Sequence, residues 1–553
     1  MSTMAAPPTV RAQPRVQFPA RQPAPRPLPV AGIVAVAAVV ALGIAARFIA
    51  FSHLWLDEAL TVNIARLPVG EIPAALRHDG SPPLYYLLLH YWMVVFGSGT
   101  IAVRALSGLF SVGCLPLAWM AGMRLGGRRA AAAALVLLAA SPYAVQYASE
   151  ARMYSMIMFI VLAGGLALAQ LLEAPSRRAA IGVGVATGAL LLSHYWSGYL
   201  VAVVGALLVG AVRRGNRPLG GPGVSPENTG PRTALVAMVY GALPFLAWMP
   251  VFLFQARHTG APWGAPGRGL RTVIDTVGVL VNGYKDLGPV PILVFEALIA
   301  LAVFGRAVDR RRVELDLRGR EPARTLALVT FGALALGILA SRLTGQAYAP
   351  RYAAMALPGV VLLGGLGVGV LADRRVRVAV LTVAVGYASL SILPIVRFER
   401  TQAPKVAAAV RASARPGDVV AYCPDQLGPS VSRLLPAGGL DQFTFPRSLP
   451  PQLIDWVDYA KVNKAPTQPF ADMLDGWAGT GHDVLLVWSP RYQVAGPKCD
   501  RLRRDLADMR TEDELVGISN VPERMGLLRY RPAKSRALGN IIAPAGHRRP
   551  WPL

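Results

Sequence analysis

The stretch Phe51-Ser-His-Leu-Trp-Leu-Asp-Glu-Ala-Leu-Thr61 follows directly on a long apolar span at residues 30–50. It contains two adjacent carboxylates, Asp57 and Glu58. Carboxylates at a membrane exit are costly to dehydrate, so their presence there needs a reason. Further along, the polar cluster His78-Asp-Gly-Ser-Pro-Pro83 leads into an aromatic, apolar run. Acids on a folded loop at a membrane surface indicate general-base chemistry on a substrate carried in the lipid.

The composition indicates a polytopic helical membrane protein. Of the 553 residues, 54% are hydrophobic and only 16% are charged, whereas a soluble protein usually has about a quarter charged residues. The deficit lies in long uncharged runs, which predict about eleven helices of spanning or near-spanning length. These runs cover residues 30–50, 100–122, 130–148, 153–172, 179–193, 197–212, 233–254, 289–305, 325–341, 353–372 and 378–396.

The arginines predict the orientation of these spans. The short segment Leu84–Phe96 is rich in Tyr and Trp, which favours a juxtamembrane helix along the interface. If this segment does not cross the membrane, every second loop is basic and lies on the same side as residues 1–29. Residues 1–29 are rich in Pro and Arg, which is typical of a disordered tail. The positive-inside rule makes this side cytoplasmic, in a multi-pass protein of the cell membrane. The basic loops contain Arg124, Arg128, Arg129, Arg177, Arg178, Arg213, Arg214, Arg217, Arg306, Arg310, Arg311, Arg312, Arg374, Arg375 and Arg377.

The net charge of +25 does not indicate a nucleic-acid partner. Its arginines lie in short turns between apolar spans, where they set orientation and attract anionic lipid headgroups.

The same orientation places most candidate reactive side chains on the opposite, outer face. Polar loops alone would not separate carboxylates and His on one side from mainly Arg on the other. The outer set comprises Asp57, Glu58, Asp79, Glu150, Arg152, Tyr154, His194, Tyr195, Arg342, Arg351 and Tyr352.

Each boundary cluster has a structural and a functional interpretation. In Glu150-Ala-Arg-Met-Tyr154, the Glu and Arg either neutralise each other or support an acceptor site or a metal ion. His194-Tyr195 is either an interfacial anchor or part of a pocket. Arg351-Tyr352 opens a span, where the Arg either contacts lipid headgroups or holds a phosphate bidentately.

Residues 397–553 differ from the membrane domain at 30–396 and predict a small extracytoplasmic α/β domain. Gly417–Cys423 and His482–Trp488 have the pattern of buried strands, Pro497–Met509 that of an amphipathic helix, and Met525–Tyr530 that of a final strand. Cys423 and Cys499 both lie in this region and can pair if they are close, which the sequence leaves open.

The order of these motifs resembles that of the C-type integral-membrane glycosyltransferases. An Asp-Glu pair after the first helix is followed by Pro82-Pro-Leu-Tyr-Tyr86, Glu150-Ala-Arg-Met-Tyr154 and a late Arg351-Tyr352. The chain resembles in particular the protein O-mannosyltransferases, the lipid A aminoarabinose transferases and the Rgt-like transferases. The resemblance covers residues 30–400 and implies a GT-C-like fold, with juxtamembrane helices in a first outer loop at 51–99.

The resemblance also implies site roles. The catalytic Asp of that family lies in the first outer loop, which implies this role for Asp57 with Glu58 beside it. The family's second acidic site falls on Glu150. The implied donor is a sugar on polyprenyl phosphate, and this agrees with an outer site, where nucleotide sugars are not supplied. One departure is Ser81, where the aminoarabinose transferases have Lys before Pro-Pro.

We expect a single inverting displacement in which Asp57 takes the proton of an acceptor hydroxyl. Arg351 and Arg152, with Tyr352, are expected to bind the donor phosphate. The acceptor pocket is expected to include Asp79, Tyr85, Tyr154, His194 and Tyr195.

The cofactor, sugar and acceptor remain open. The scattered acids form no recognisable metal motif, so a divalent ion is left open. By analogy the sugar is mannose or arabinose, and the acceptor is a protein, lipid or glycan. Two other functions compete: a flippase for lipid-linked sugars, which would use the same charges as a pathway, and a non-catalytic scaffold whose C-terminal domain binds cell-wall polymer.

Overall fold

The computed structural model describes residues 30–532 except 215–228, 261–263, 285–286, 311, 437, 491 and 493–494. The predicted disordered tail at 1–29 lies outside the described residues, as do Arg217 and Arg311 of the basic clusters.

The amino-terminal part of the described chain is helical. A two-stranded antiparallel hairpin, β1 (Gly305–Ala307) and β2 (Val313–Leu315), separates its twelfth and thirteenth helices, and a 3-10 helix at Pro350–Ala356 runs into the fourteenth. The helices are α1 (Val30–Phe48), α2 (Leu56–Ala65), α3 (Ile72–Asp79), α4 (Leu84–Phe96), α5 (Thr100–Ala139), α6 (Pro142–Ala148), α7 (Tyr154–Glu173), α8 (Arg177–Leu191), α9 (Ser197–Arg213), α10 (Gly230–His258), α11 (Leu270–Asn282), α12 (Val290–Phe304), α13 (Ala323–Thr344), α14 (Leu357–Val370) and α15 (Arg374–Arg397).

Within the described ranges, seven segments are long and apolar enough to cross a membrane. They are α1, α5, α7, α10, α13, α15 and the continuous segment Pro350–Val370, and α4, α9 and α12 are shorter apolar helices. The chain is therefore a polytopic helical membrane protein. The apolar runs predict about eleven crossings of the membrane. This number stays a prediction.

One predicted span has different boundaries in the structure, and one helix was not predicted. The prediction of one helix over residues 130–148 is wrong: the first part belongs to α5, which has a non-helical kink at Gly127, and the rest forms the separate helix α6. Ser141 starts α6, because its Oγ accepts the N–H of Ala144 at 3.2 Å and caps the new helix. Helix α11 was missed since its apolar side chains, including Val277 and Leu280, lie on one face instead of in a continuous run.

The centre of the membrane domain is the contact between α14 and α5. Here α14 is buried almost along its whole length. A Cβ at Gly365 would lie 2.8 Å from the carbonyl oxygen of Ala130 and 2.8 Å from Cβ of Ala134, so only glycine permits this approach. Gly365 therefore serves helix packing.

The predicted first outer loop contains three short helices, α2, α3 and α4. Leu84–Phe96 is helical as predicted, while its position along the membrane interface stays a prediction. Tyr85 and Leu89 of α4 are fully buried and pack with Ala59 and Val62 of α2 in the main core. This packing holds the acidic start of α2 against the membrane domain.

The carboxyl-terminal part contains a five-stranded sheet with the order β4-β3-β5-β7-β6. Strands β4, β3 and β5 are parallel, whereas β7 is antiparallel to both β5 and β6. The predicted strands at 417–423, 482–488 and 525–530 correspond to β3, β5 and β7, and the predicted helix to α20. The elements are α16 (Ala403–Ser413), β3 (Val419–Cys423), α17 (Gly428–Ser432), β4 (Asp441–Thr444), α18 (Tyr459–Val462), α19 (Gln468–Ala478), β5 (Val484–Trp488), α20 (Lys498–Ala507), β6 (Arg510–Val516) and β7 (Gly526–Pro532).

Alternate residues of β3 face two different cores. Val419 and Ala421 pack toward α19 and α20, whereas Val420 and Tyr422 pack toward α16 and α17, as expected for a sheet covered on both faces. A disulfide joins Cys423 to Cys499, which settles the pairing that the sequence left open. Cys114 is a buried free thiol in α5.

Candidate active site

Asp57 lies in the first turn of α2, where the chain emerging from α1 becomes helical. Its Oδ2 accepts a hydrogen bond of 2.8 Å from Nη1 of Arg351, which is 294 positions away in the sequence. The two side chains are 19% and 21% exposed, so the pair is partly open to solvent. A guanidinium in such a charge-assisted pair can also bind another anion, phosphate included. The structure thus brings together the two residues on which the predicted site depends.

Glu58 has a different environment although it adjoins Asp57. It is fully buried, and Arg104 donates to both of its carboxylate oxygens, at 2.7 Å from Nε and 2.6 Å from Nη2. The N–H of Ala151 donates to the same carboxylate at 3.0 Å. A buried carboxylate that accepts this many hydrogen bonds has a structural role, because its partners would be left unpaired without it. The carboxylate of Glu58 therefore lies in a different environment from that of Asp57, and the catalytic role expected for Glu58 stays a prediction.

Glu150 lies in the connection between α6 and α7 and is also buried. Gln146 donates to its Oε1 at 2.5 Å, and Nη1 of Arg400 lies 3.5 Å from the same oxygen. Burial raises the pKa of Glu150, which Arg400 opposes. The interpretation in which Arg152 neutralises Glu150 is wrong, because the cationic partner of Glu150 comes from the chain after α15.

Arg152 instead contacts the segment that contains α2 and α4. Its Nη1 donates to Oγ1 of Thr61 at 2.7 Å, and the Thr61 hydroxyl donates to the carbonyl of Asp57 at 2.7 Å. Tyr86 donates to Oδ2 of Asp79 at 2.8 Å, and burial raises the pKa of Asp79 despite the attraction of Arg152. Nη1 of Arg152 also lies 3.5 Å from the hydroxyl of Tyr86. One intervening hydroxyl therefore links Arg152 to the backbone of Asp57, and another links it to the carboxylate of Asp79.

Both arginines keep unused donors. Nε of Arg152 and Nε of Arg351 are buried and form no hydrogen bond within the described part of the chain. A buried N–H without an acceptor is energetically costly, and a bound anion would relieve that cost at either position.

An aromatic cluster continues from Arg351. The ring of His194 lies 5.3 Å from that of Tyr352 and 5.9 Å from that of Tyr154, between ring centres. Trp196 lies 5.5 Å from Tyr352. Burial and the two nearby arginines lower the pKa of His194 to about 3, so its imidazole is neutral at physiological pH.

Two predicted pocket residues, Tyr85 and Tyr195, use their hydroxyls for contacts with neighbouring helices. The hydroxyl of Tyr195 donates to Gln255 and accepts from Nε1 of Trp248 at 2.9 Å, both on α10. Tyr85 is fully buried, and its hydroxyl is 2.8 Å from Oγ of Ser107. Both tyrosines are therefore committed to helix packing, and the expectation that they line the acceptor pocket is not supported by these contacts.

Within the described ranges, no group of three or more His, Cys, Asp or Glu side chains is placed to hold a metal ion.

The sequence did not reveal the roles of Arg104 and Arg400, which hold the two buried acids. Arg104 had a detectable signal, because a lone cation near the start of an apolar span usually has a carboxylate partner. Arg400 had none, since it lies in a region without a motif.

An apolar cavity of about 500 Å³ lies between α5, α7, α8, α9, α13 and α14. Its lining includes the ion pair of Arg124 and Glu173 as well as Met355 and Ala356. Met355 and Ala356 belong to the same 3-10 helix as Arg351. The cavity therefore reaches the 3-10 helix that carries Arg351.

The chain resembles known membrane glycosyltransferases. Residues 80–219 match the family model for dolichyl-phosphate-mannose-protein mannosyltransferase. No curated protein matches the chain.

Two solved structures of ArnT from Cupriavidus metallidurans have the same fold. The apo form matches with a TM-score of 0.56 and 14% identity, over 90% of this chain and 98% of ArnT. The form bound to undecaprenyl phosphate matches with a TM-score of 0.54 and 13% identity, over 90% and 97%. These findings confirm the resemblance to the C-type integral-membrane glycosyltransferases that the motifs indicated.

Proposed function

We propose that this protein is a glycosyltransferase that moves a sugar from a polyprenyl-phosphate carrier to an acceptor hydroxyl at the outer face of the cell membrane. The observation that carries the proposal is the contact of 2.8 Å between Asp57 and Arg351. In this proposal Asp57 is the base and Arg351 binds the donor phosphate, and their contact supports a shared reaction centre. The match to ArnT bound to undecaprenyl phosphate supports a lipid phosphate as the carrier.

The proposed reaction is a single inverting displacement. Asp57 accepts the proton of the acceptor hydroxyl while that oxygen forms a bond to the anomeric carbon. The bond from this carbon to the phosphate oxygen breaks, and its electron pair stays on the polyprenyl phosphate. Arg351 stabilises the growing negative charge. When the donor phosphate takes over the guanidinium of Arg351, the carboxylate of Asp57 is released to act as the base.

Arg152 is the second phosphate-binding candidate, since one of its donors is free. Tyr352 stands beside Arg351, with the guanidinium 5.8 Å from the ring centre. Asp79, Tyr154 and the neutral His194 would bind the molecule that receives the sugar. The carboxylate of Asp79 can accept hydrogen bonds from the hydroxyl groups of that molecule, and the two rings offer aromatic surfaces. Glu58 and Glu150, which are enclosed by donors, act in this proposal by holding the loops in place.

The apolar cavity supports a lipid-linked donor. Its volume of about 500 Å³ and its apolar lining fit part of a polyprenyl chain. Its continuity with Pro350–Ala356 would bring the carrier phosphate toward Arg351.

The test is transfer of labelled sugar from synthetic polyprenyl-phosphate donors by the purified protein in lipid nanodiscs. Asp57→Asn should lower turnover by about 10²–10⁴-fold, the usual contribution of a general base, while donor binding stays close to that of the wild type. A matched control is Asp373→Asn at the start of α15, where an amide oxygen can still accept the N–H of Arg375. Substantial turnover by Asp57→Asn would remove Asp57 as the base.

The same preparation separates the competing functions. Movement of the labelled lipid between leaflets without transfer would indicate a flippase. Binding of cell-wall polymer with neither transfer nor movement would indicate a scaffold.

A further inference from the structure

Helix α2, which carries Asp57, begins without a cap of its own. The residue at its N-cap position is Trp55, whose side chain cannot accept a hydrogen bond from the first turn. The first backbone N–H groups of a helix need an acceptor from outside the helix. For the N–H of Leu56, that acceptor is Oε1 of Glu523 at 3.1 Å, 467 positions away. The C-terminal domain therefore supplies an acceptor to the helix that carries Asp57.

Glu523 is held firmly on its own side of the contact. Its backbone N–H donates to the carbonyl of Arg400 at 2.8 Å, and its carbonyl accepts from Gln402 at 3.1 Å. The hydroxyl of Ser430 donates to the same Oε1 at 3.0 Å. The side chain is only 3% exposed. The backbone of Glu523 is thus held at two points, and its Oε1 accepts from both Ser430 and Leu56, which defines where the first turn of α2 lies.

Arg400, which accepts a backbone hydrogen bond from Glu523, makes a second contact with the region before α2. Its backbone N–H donates to Oγ of Ser52 at 2.9 Å, just before α2. Its guanidinium donates to the carbonyl of Ser149 at 3.1 Å and to Oγ of Ser149 at 2.6 Å, next to Glu150. Arg400 is thus bonded to both loops that border the candidate site.

We propose that Glu523 and Arg400 are positioning residues, through which the C-terminal domain fixes the start of α2 and so the orientation of Asp57 toward Arg351. The inference rests on the proposed role of Asp57. Its physical basis is that a displacement of about 1 Å between reacting groups costs about 10²-fold in rate. A first turn that loses its external acceptor frays most easily at the position next to Asp57.

The protonation state of Glu523 makes a conservative variant informative. Burial, together with the nearby carboxylate of Asp57, raises the pKa of Glu523 to about 8. At neutral pH the side chain is therefore mostly uncharged, and Gln offers the same acceptor oxygen in nearly the same shape. Ala offers none.

The kinetic test compares Glu523→Ala with Glu523→Gln in the full-length protein in nanodiscs. We expect Glu523→Ala to lower kcat by about tenfold to a hundredfold with an unchanged KM for the lipid donor, because geometry and not donor binding is lost. Glu523→Gln should retain most of the activity.

The matched control is Asp418→Ala. Asp418 is an equally buried carboxylate of the same domain, whose oxygens accept from the N–H groups of Asp483 at 2.9 Å and Arg415 at 2.8 Å. Its loss should destabilise the domain without changing kcat per folded molecule. If Asp418→Ala and Glu523→Ala lower kcat equally, or if Glu523→Ala leaves kcat unchanged, the positioning role is wrong.

Hydrogen–deuterium exchange gives a readout that does not depend on turnover. Glu523→Ala should increase exchange in a peptide covering residues 54–62, whereas Asp418→Ala should not. If the wild type transfers no sugar from any donor, the proposed function fails, and this exchange experiment still decides whether Glu523 holds α2. Unchanged exchange in Glu523→Ala would overturn the inference.

Discussion

At the scale of residues, the pair Asp57-Glu58 shows how one step along a helix separates two chemical roles. Successive residues on a helix point about 100° apart, so the two carboxylates enter different environments. Asp57 meets Arg351 and stays partly exposed, whereas Glu58 meets Arg104 in the core. The proposal therefore assigns proton transfer to the first acid and support of the loop to the second.

The different environments of Asp57 and Glu58 predict that substitutions at the two positions change the stability of the protein to different extents. Glu58→Ala leaves the guanidinium of Arg104 buried without its carboxylate, and breaking such a pair costs about 3–5 kcal/mol. We expect a markedly lower midpoint of thermal unfolding in detergent for Glu58→Ala, measured by intrinsic fluorescence. Asp57→Asn, whose pair is partly exposed, should unfold close to the wild type. Equal midpoints for all three proteins would contradict a supporting role for Glu58.

At the scale of elements, small residues decide how closely the membrane helices approach. Gly365 in α14 faces the backbone of Ala130 in α5, whereas Gly386 in α15 has open space around the position of a Cβ. The same substitution should therefore have opposite effects in the two helices.

Gly365→Ala should destabilise the protein by about 1–3 kcal/mol, since the added methyl group forces α14 and α5 apart. Gly386→Ala should be neutral or slightly stabilising, because Ala is the better helix former. Thermal unfolding of the purified variants measures both effects. A Gly386→Ala protein that is as unstable as Gly365→Ala would show that helix packing is not the cause.

The helices of the predicted first outer loop were expected, but the contacts that hold this loop to the rest of the protein were not. Local patterns indicated the helix Leu84–Phe96 and the acids before it. The acceptor for the first turn of α2 comes from Glu523, and the partner of Glu150 is Arg400. Neither contact has a local signal, because both depend on how the C-terminal domain docks on the loop.

At the scale of the whole molecule, the predicted topology places the C-terminal domain outside and the basic loops inside. The disulfide between Cys423 and Cys499 is consistent with an oxidising compartment. The remaining cysteine, Cys114, is buried, so an introduced surface cysteine can be labelled with little background.

We expect a membrane-impermeant thiol reagent to label Trp477→Cys in intact cells, since this position is 57% exposed in the C-terminal domain. Arg128→Cys, in a predicted cytoplasmic loop, should be labelled only after the membrane is permeabilised. The reverse pattern would place the candidate site on the cytoplasmic face and would remove the argument for a donor that is carried on lipid.

The sequence by itself determined the class of protein, the approximate position of most helices and the four elements predicted in the C-terminal region. Apolar length and alternating burial are local properties, so they can be read along the chain. It also singled out Asp57 and Arg351, because adjacent carboxylates at a membrane exit are costly to dehydrate and an Arg that opens a span can hold a phosphate. Only the tertiary structure decided that these two residues meet, that Glu58 is enclosed, and that the distant Glu523 caps α2. These are contacts between segments hundreds of residues apart, and they arise from the packing of whole elements, which no local pattern records.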